Sequence, residues 1–389
     1  MSTHDDFTVR SEEPLNGGPD LRAMVRSFIT PTDLFFVRNH GPVPRVDPTS
    51  YRLSVGGLVT RSLVLSLEEL ADRFERVTVT STLACAGQRR QEMSAVAPIP
   101  GELPWGAEAV STAHWSGWRL ADVLLACGLE PPAQHVAFEG LDDVERQSRT
   151  FRYGASIPLA KALAPEVLLA DTMNGEPLPP RHGYPLRVVV PGYIGARQVK
   201  WLAAIDVRES SSANYFQAVA YRRYPRDMSA ATHDPAKGIE LTELEVNCLI
   251  AEPAEGAVVS EGRARVRGVA YTGGGAMVTR VEVSGDGGGS WAEARLESPV
   301  GATGTEKPSD SAGPSDSGGP SDAGDSSERW TWRIFECEVA VTFADDDAGL
   351  VIARAFDDSG AEQPPDAEDL WNFKGYMNNA WPRVTLRRR

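Results

Sequence analysis

Residues 181–201 read RHGYPLRVVVPGYIGARQVKW. The centre of this segment, LRVVVPG (186–192), is rich in β-branched residues and ends in Pro and Gly, a pattern that predicts a strand followed by a turn. The segment carries four Lys and Arg residues but no Asp or Glu. We therefore expect a strand flanked by cationic loops.

Two further segments share this charge pattern, FFVRNHGPVP (35–44) and TLACAGQRR (82–90). The three segments together contain seven Lys and Arg residues and no Asp or Glu, although the whole chain has 39 Lys and Arg against 54 Asp and Glu. Arginines on loops rich in Gly and Pro suit bidentate recognition of phosphate-like oxyanions. The alternative is that these arginines pair with acidic residues elsewhere on the surface.

The composition restricts the class of protein. A formal net charge of −15 argues against nucleic acid and anionic membranes as partners. The 41% hydrophobic and 24% charged residues are typical of a globular protein, and the length of 389 residues predicts two domains. Neither a signal peptide nor an apolar run of roughly 18 residues is recognisable, so we expect a cytoplasmic protein.

Composition also divides the chain into regions. Residues 1–30 are polar and predict a tail or a strap laid over the first domain. Residues 31–240 alternate strand-like and helical stretches, whereas residues 241–389 show short strands with Gly-rich turns, a pattern typical of a β-sandwich. Within the latter, residues 301–329 contain the repeats PSDSAG, PSDSGG and PSDAGD, which predict a disordered surface loop.

Three local signals predict individual elements. Ser66 with Glu69 three positions later is a capping box, and it predicts the start of a helix. The stretch RLADVLLAC (119–127) predicts a helix that ends at Gly128. The stretch GDGGG (285–289) lies between strand-like runs and lacks a following Lys-Ser/Thr, so it predicts a hairpin turn rather than a phosphate loop.

Four cysteines are spread widely along the chain: Cys85, Cys127, Cys248 and Cys337. The absence of CxxC and CxxCH argues against a disulfide framework, a zinc finger and an attached c-type haem. Cys85 ends an apolar run and is followed by small residues and then by Arg89 and Arg90. A buried inert thiol is one interpretation, but the two cations favour the thiolate, which ligates soft metals.

Six motifs occur in one order along the chain: RNHGPVP, CAGQRR, EGLDD, HGYPLRVVVPG, GARQVKWL and WNFKGYMNNAWPRV (371–384). In these motifs the chain resembles the sulfite oxidase family of molybdopterin-dependent oxidoreductases, in its haem-free, plant- or bacterial-like form. The resemblance extends from about residue 14 to residue 384. It implies an α+β fold with a molybdopterin-binding catalytic domain at 31–240, followed by an all-β immunoglobulin-like dimerisation sandwich at 241–389.

The resemblance also implies roles for individual residues. Cys85 is expected to ligate molybdenum, with two further sulfurs supplied by the pterin dithiolene. The positions that match the pterin-binding residues of the family are Phe36, Val37, Arg38, Asn39, His40, Asp142, His182, Arg187, Gln198, Val199 and Lys200. The positions that match its sulfite pocket, and that we expect to be catalytic, are Arg38, Arg90, Trp105, Tyr221 and Lys374. Without the resemblance, Trp105 would be interpreted as a core aromatic residue and Tyr221 as an interface tyrosine.

Two positions depart from the family pattern. Gln88 stands in CAGQRR where the family has Asn. Lys374 stands where sulfite oxidases usually have arginine and assimilatory nitrate reductases have methionine; lysine keeps the charge but lacks the planar fork of arginine. The sequence MNNAW that follows (377–381) also resembles the nitrate reductase version.

The resemblance implies a molybdenum–molybdopterin cofactor, no resident haem, and oxidation of sulfite to sulfate. Two electrons would pass to a separate acceptor, either cytochrome c or oxygen, and the protein would be a homodimer. Two alternatives stay open. One is a reductase of the same fold that acts on nitrate or an S-oxide, which Lys374 favours and Tyr221 disfavours. The other is a non-catalytic binding protein that holds no metal.

Overall fold

The computed structural model describes residues 6–146, 148–260, 262–297 and 326–389. The strands of the first 240 residues are β1 (Phe7–Ser11), β2 (Asn16–Pro19), β3 (Leu53–Gly57), β4 (Leu63–Leu65), β5 (Arg76–Ala84), β6 (Val110–Arg119), β7 (His135–Arg146), β8 (Arg149–Pro158), β9 (Leu168–Met173), β10 (Glu176–Pro177), β11 (Arg187–Val189), β12 (Leu202–Arg208), β13 (Arg222–Arg223) and β14 (Ile239–Glu240). Two five-stranded sheets position the later site. One has the order β10-β9-β6-β5 with β11 paired to β9, and the other has the order β4-β3-β12-β7-β8.

The remaining strands form two facing sheets. They are β15 (Asn247–Glu252), β16 (Val258–Val259), β17 (Arg263–Tyr271), β18 (Val278–Ser284), β19 (Ala292–Glu293), β20 (Arg295–Leu296), β21 (Arg333–Ala340), β22 (Ala348–Asp357) and β23 (Arg383–Arg388). The sheet orders are β15-β17-β21-β20 and β16-β23-β22-β18-β19. Apolar residues that alternate along these strands, among them Val266, Val281 and Val351, are fully buried between the sheets. This β-sandwich and the mixed first region confirm the predicted α+β class.

The helices are short. They are α1 (Leu21–Met24), α2 (Leu67–Arg73), α3 (Arg90–Val96), α4 (Leu120–Cys127), α5 (Leu159–Ala162), α6 (Tyr215–Ala218) and α7 (Ala367–Leu370), with 3₁₀ turns at Pro180–His182, Gly195–Arg197, Pro235–Lys237 and Ser326–Trp330. Within the described part of the chain, no helix has the length and apolar character needed to cross a membrane.

The local predictions about caps and turns are confirmed. Both halves of the capping box form at the start of α2, where Glu69 and Ser66 exchange hydrogen bonds between side chain and backbone. Helix α4 ends at Gly128, whose φ of +72° lies in the left-handed region that suits glycine. Strands β18 and β19 pair antiparallel on either side of residues 285–289, so the GDGGG stretch is the turn of a hairpin.

The predicted disordered loop at 301–329 needs a correction at its end. Residues 301–325 lie outside the described residues, but residues 326–329 belong to the 3₁₀ turn Ser326–Trp330. Two contacts hold this turn: Arg329 pairs with Asp358 at 3.0 Å, and the ammonium group of Lys161 lies 4.4 Å from the centre of the Trp330 ring. The repeats end at Asp325, so the predicted loop boundary at residue 329 included four residues of this turn.

The N-terminal segment forms a hairpin against the first region. Strands β1 and β2 pair antiparallel, and Gly17 exchanges two backbone hydrogen bonds with Val37, at 3.0 and 2.7 Å. The next side chains, including Met24, are buried in the main apolar cluster. The hairpin thus lies directly beside the segment FFVRNHGPVP.

One apolar cluster spans both regions of the chain. Leu186 and Val188 of the first region belong to the same cluster as Tyr271 and Trp332 of the sandwich. Trp332 is fully buried, and its backbone N–H donates to Oγ1 of Thr82 at 2.7 Å. The sandwich is therefore packed onto the end of β5, where Cys85 follows.

Candidate active site

A cavity that is open to solvent lies between the end of β5, strands β7 and β8, and the segment 181–201; its empty space, including the open mouth, is about 670 Å³. Eleven of the predicted site residues line it: Phe36, Arg38, Asn39, His40, Cys85, Asp142, His182, Arg187, Gln198, Lys200 and Tyr221. The three acid-free segments identified in the sequence therefore meet at one place. Among the described residues that line the cavity, Cys85 is the only one with a sulfur atom.

Five predicted residues are not part of the cavity lining: Val37, Arg90, Trp105, Val199 and Lys374. The two valines are buried and act through their backbones. Val37 is bonded to the N-terminal hairpin, and the carbonyl of Val199 accepts from the N–H of Val188 at 2.8 Å. Both contacts fix neighbouring residues that do face the cavity.

Trp105 lies behind the cavity wall. Its side chain is fully buried in an apolar cluster that also contains Phe36 and Cys85. The indole Nε1 has no hydrogen-bond partner within the described structure. Trp105 therefore packs the Cys85 side of the site.

Three aromatic residues that the sequence analysis missed also line the cavity: Phe35, Tyr153 and Trp201. Tyr153 donates a hydrogen bond to the carbonyl of Ala196 at 2.8 Å. The sequence signal was available, because Tyr153 and Ala155 alternate with polar residues along β8 and therefore share its inward face.

Asn16 of the N-terminal hairpin positions two residues of the cavity. Its Oδ1 accepts hydrogen bonds from the backbone N–H of Asn39 at 2.8 Å and from Nη1 of Arg38 at 3.2 Å. Its own Nδ2 donates to the carbonyl of Pro14 at 2.8 Å, and the residue is almost completely buried. A fully bonded, buried amide of this kind holds the Arg38 guanidinium in a fixed orientation.

His40 and Tyr221 form the shortest polar contact within the cavity that involves a hydroxyl, at 2.7 Å between Nε2 and Oη. The other ring nitrogen, Nδ1, faces Arg38 at 3.2 Å and Arg146 at 3.3 Å. Guanidinium groups only donate, so Nδ1 accepts and Nε2 carries the proton. The hydrogen bond therefore runs from His40 to Tyr221, and the phenol keeps its own proton for a second partner.

The pKa values of both groups support this assignment. Burial lowers the pKa of His40 well below its ordinary value, and the positive charges of Arg38 and Arg146 lower it further, so the imidazole is neutral. Burial raises the pKa of Tyr221 to about 12, which keeps the phenol protonated. Tyr221 can thus donate a hydrogen bond into the cavity at neutral pH.

Arg187 is completely buried with few partners. Its Nη1 donates to the carbonyl of His182 at 2.9 Å, its guanidinium lies 4.7 Å from the ring centre of Trp115, and its Nε has no hydrogen-bond partner within the described structure. Burial lowers its pKa to about 9. Burial likewise lowers the pKa of His182 far below its ordinary value, so this imidazole is neutral.

Lys200 and Asp142 both line the cavity and influence each other electrostatically, but no ion pair joins them in the described structure. Lys200 donates to Oδ1 of Asn39 and, at 3.1 Å, to the carbonyl of Arg181. Burial, together with Arg187, lowers its pKa well below the ordinary value. Burial raises the pKa of Asp142 to about 6 although Lys200 opposes the shift, and Oδ1 of Asp142 has no hydrogen-bond partner among the described residues.

The cavity fits an anionic group that brings its own polar atoms. Among the described residues, none of Arg38, Arg187 and Lys200 forms an ion pair with Asp or Glu. Two buried polar atoms of the cavity wall, Nε of Arg187 and Oδ1 of Asp142, have no hydrogen-bond partner among the described residues. The described residues include no cluster of three or more His, Cys, Asp or Glu side chains placed to hold a metal ion. A pterin phosphate with a metal on its own sulfurs and on Cys85 matches this donor set.

Cys85 lies at the end of β5 with its side chain almost buried. The N–H of Gly87 points to its sulfur, at 3.4 Å from Sγ. The expectation that both following arginines act on this sulfur is wrong for Arg89. Its guanidinium is bonded to Glu92, to Oδ1 of Asn247 at 3.0 Å and to a carbonyl of the C-terminal segment, so Arg89 joins the two regions.

Arg90 passes through a slot between two glycines. A Cβ atom at Gly87 would lie 2.4 Å from Nη2 of Arg90, and one at Gly375 would lie 2.6 Å from its Cγ. The guanidinium lies 5.2 Å from the ring centre of Tyr376, which stacks on Tyr221 with a centroid distance of 5.2 Å. Arg90 therefore lies in a layer behind Tyr221, with Tyr376 as the intervening ring.

Lys374 lies in the same layer. Its ammonium group forms an ion pair with Glu102 at 3.0 Å, and its backbone carbonyl accepts a hydrogen bond from Nε of Arg90 at 2.9 Å. The sequence analysis missed Glu102 and Tyr376. No local pattern marks them, because only folding brings the segments 85–105 and 371–384 together.

Comparison with known proteins agrees with this geometry. Residues 40–216 match the family model "Oxidoreductase molybdopterin binding domain", and residues 239–389 match "Mo-co oxidoreductase dimerisation domain". The chain is 41% identical to the mitochondrial sulfite oxidase of Rattus norvegicus over 98% of its own length and 65% of that protein. It is 36% identical to the sulfite oxidase of Arabidopsis thaliana over 99% of its own length and 94% of that protein.

Among solved structures, the sulfane dehydrogenase SoxCD of Paracoccus pantotrophus superimposes with a TM-score of 0.71 at 25% identity. The match covers 95% of this chain and 84% of that one. The chain thus spans about two thirds of the rat relative but nearly all of the plant relative.

The raised pKa of Asp142 predicts a pH-dependent effect in the cofactor-free protein. A raised pKa means that the folded state disfavours the charged carboxylate. Asp142 therefore lowers the free energy of unfolding above pH 6, where its carboxyl group is charged. We expect Asp142→Asn to increase the free energy of unfolding at pH 8 by about 1–3 kcal/mol, and the gain to shrink towards pH 4, where the native carboxyl is protonated. Urea unfolding at both pH values measures it. The neighbouring exposed Asp143→Asn is the control, and a gain that grows at acidic pH would contradict the assignment.

Proposed function

Because the chain belongs to the sulfite oxidase family of molybdopterin-binding oxidoreductases, we propose that it oxidises sulfite to sulfate and passes two electrons to an external acceptor. The observation that supports this best is the set of groups around one cavity. Cys85, Arg38 and Tyr221 come from three distant segments and line the same space. A soft metal ligand, a cation and a hydroxyl donor are the groups that oxyanion redox chemistry needs.

We propose that the cavity residues hold a molybdenum–molybdopterin group. Arg187 and Lys200 are suited to its anionic part, because neither forms an ion pair with a carboxylate among the described residues. The single N–H of the neutral His182 already donates to the carbonyl of Thr32 at 3.3 Å. Cys85 would supply the protein sulfur. When bound, the group would supply oxygen-atom transfer to sulfite and take up the two electrons released.

Arg38 and Tyr221 are suited to hold the substrate. Arg38 is positioned by Asn16 and His40, and a guanidinium has five N–H donors, so donors remain for an oxyanion. Tyr221 accepts from His40 and keeps its phenolic proton for an oxygen of the substrate or of the incoming water. Donors fixed in this way stabilise charge that develops during transfer without reorganising.

We further propose that the electrons leave to a separate acceptor, cytochrome c or oxygen, and that this chain holds no haem. The lack of a CxxCH motif supports this for covalently attached c-type haem. The same architecture could serve a reductase for nitrate or an S-oxide. Lys374 and the stretch MNNAW (377–381) favour this second candidate, whereas Tyr221 disfavours it. The ion pair of Lys374 with Glu102 also makes this position a poor match for the apolar methionine of nitrate reductases.

Metal content tests the cofactor. Protein produced in a host that makes molybdopterin should contain molybdenum near one atom per chain by mass spectrometry, with a visible thiolate-to-metal absorption band. Cys85→Ser should lose that band and the sulfite-oxidising activity, because serine is a hard ligand. The buried Cys337→Ser of the sandwich is the control and should keep both. Native protein without molybdenum would instead support a non-catalytic binding protein.

Activity assays test the reaction and the role of Tyr221. The native protein should reduce ferricyanide in a sulfite-dependent manner, and Tyr221→Phe should lower kcat by about ten-fold to a hundred-fold through loss of one oriented donor. Tyr224→Phe, whose hydroxyl bonds a carbonyl outside the cavity, should leave kcat unchanged. Reduction of nitrate with reduced viologen, without any sulfite-dependent activity, would replace the first candidate by the second.

We propose that the chain forms a homodimer through residues 241–389, supported by the match of this region to a dimerisation domain. Light scattering of the full chain should give twice the mass of one chain across the micromolar range. A mass equal to that of a single chain at every concentration would contradict the proposal.

A further inference from the structure

Glu102 contacts both cations of the layer behind Tyr221. Its Oε1 lies 3.0 Å from Nζ of Lys374, and its Oε2 lies 3.9 Å from Nη2 of Arg90. The Glu102 and Lys374 side chains are about one fifth exposed, and that of Arg90 is almost buried. Ion pairs with restricted solvent access are screened less than those on the surface.

The geometry gives Arg90 little freedom to exchange partners. Besides Glu102, it donates to the carbonyls of Lys374 at 2.9 Å and of Leu103 at 2.7 Å. Its stem is enclosed by Gly87 and Gly375. The Lys374 side chain is partly exposed and is not enclosed in this way. The orientation of its ammonium group is therefore set by the ion pair with the Glu102 carboxylate.

The charge of Glu102 reaches the substrate end of the cavity. The Arg90 guanidinium lies over Tyr376, and Tyr376 stacks on Tyr221, so two rings separate the cluster from the cavity. Burial raises the pKa of Tyr376, and the Glu102 carboxylate is the strongest charge that raises it further. The same carboxylate also adds to the raised pKa of Tyr221.

The three groups together carry one net positive charge, whereas Arg90 and Lys374 alone would carry two. An oxyanion at Tyr221 is attracted by both cations and repelled by the carboxylate. The repulsion is stronger for a doubly charged anion than for a singly charged one, because Coulomb energy scales with the product of the charges. Removal of the carboxylate charge would therefore strengthen the attraction more for a doubly charged anion than for a singly charged one.

We propose that Glu102 is a specificity-determining residue that weakens the binding of doubly charged oxyanions, including the sulfate product, by neutralising one of the two cations behind Tyr221. This inference rests on the proposed sulfite reaction. It also accounts for lysine at position 374, since a single ammonium group on a flexible stem can follow the Glu102 carboxylate. Glu102 acts through Lys374 and Arg90 and need not touch the substrate.

The test compares Glu102→Gln with Lys374→Gln in the full chain loaded with molybdenum. Glu102→Gln should lower KM for sulfite and the inhibition constant for sulfate by at least about three-fold, and it should lower the dissociation constant of the singly charged nitrate by a smaller factor. Lys374→Gln should raise all three constants. Calorimetric titration with sulfate gives a readout independent of turnover. Glu166→Gln is the control, because Glu166 forms an ion pair of similar burial with Lys161 outside the cluster; it should change none of these constants.

Opposite shifts for the two variants identify an effect of charge. If both variants weaken sulfate binding, or if Glu102→Gln changes nothing, Glu102 merely anchors Lys374 and the inference is overturned while sulfite oxidation by the native protein still stands. If the native protein does not oxidise sulfite but Glu102→Gln binds sulfate more tightly, the proposed function fails and the charge effect of Glu102 is retained. Thermal melting of each variant shows whether the fold is intact.

Discussion

Buried positive charge without carboxylate partners is the constraint on which the site depends. Arg187 and Lys200 are enclosed by the fold, and their donors reach backbone carbonyls and amides rather than acids. Charges in such surroundings cost free energy unless something compensates them. The fold limits this cost by keeping His40 and His182 neutral and by lowering the pKa values of the two cations. An anionic ligand would compensate these charges, which is why the same residues are suited to hold a phosphate.

The second region of the chain, residues 241–389, contributes directly to the structure of this site. The backbone N–H of Met377 donates to the carbonyl of Ala86 at 2.7 Å, and Arg89 reaches Asn247 and the carbonyl of Ala380. These bonds fasten the loop after Cys85 to the sandwich. The C-terminal segment also supplies Tyr376, the ring on which Tyr221 stacks. The position of the site residues therefore depends on the packing of the sandwich against the first region. A single apolar cluster with residues from both regions is consistent with this.

Much of this was predictable from residues close together in sequence, and the exceptions have a common cause. The capping box at Ser66, the turn at 285–289 and the cationic segments follow from local composition, and most of the residues assigned by resemblance line the cavity. The direction of Arg89 was not predictable, because two of its three partners, Asn247 and Ala380, lie more than a hundred residues away. The pairing of Glu102 with Lys374 has the same origin. Arg89 and Arg90 are adjacent in sequence but bind different partners, and local composition cannot predict which partner each arginine binds.

The protonation state of Tyr221 shows how opposing effects are resolved in the site. Arg38 and Arg90 favour the phenolate and on their own would lower the pKa of Tyr221, which would remove the donor that an oxyanion needs. Burial acts in the opposite direction and is the larger effect, and the carboxylate of Glu102 adds to it. His40 then contributes a hydrogen bond to the oxygen rather than taking one from it, because its other nitrogen is committed to two guanidinium groups. A site rich in cations can therefore keep a neutral phenol whose proton is available to a group in the cavity.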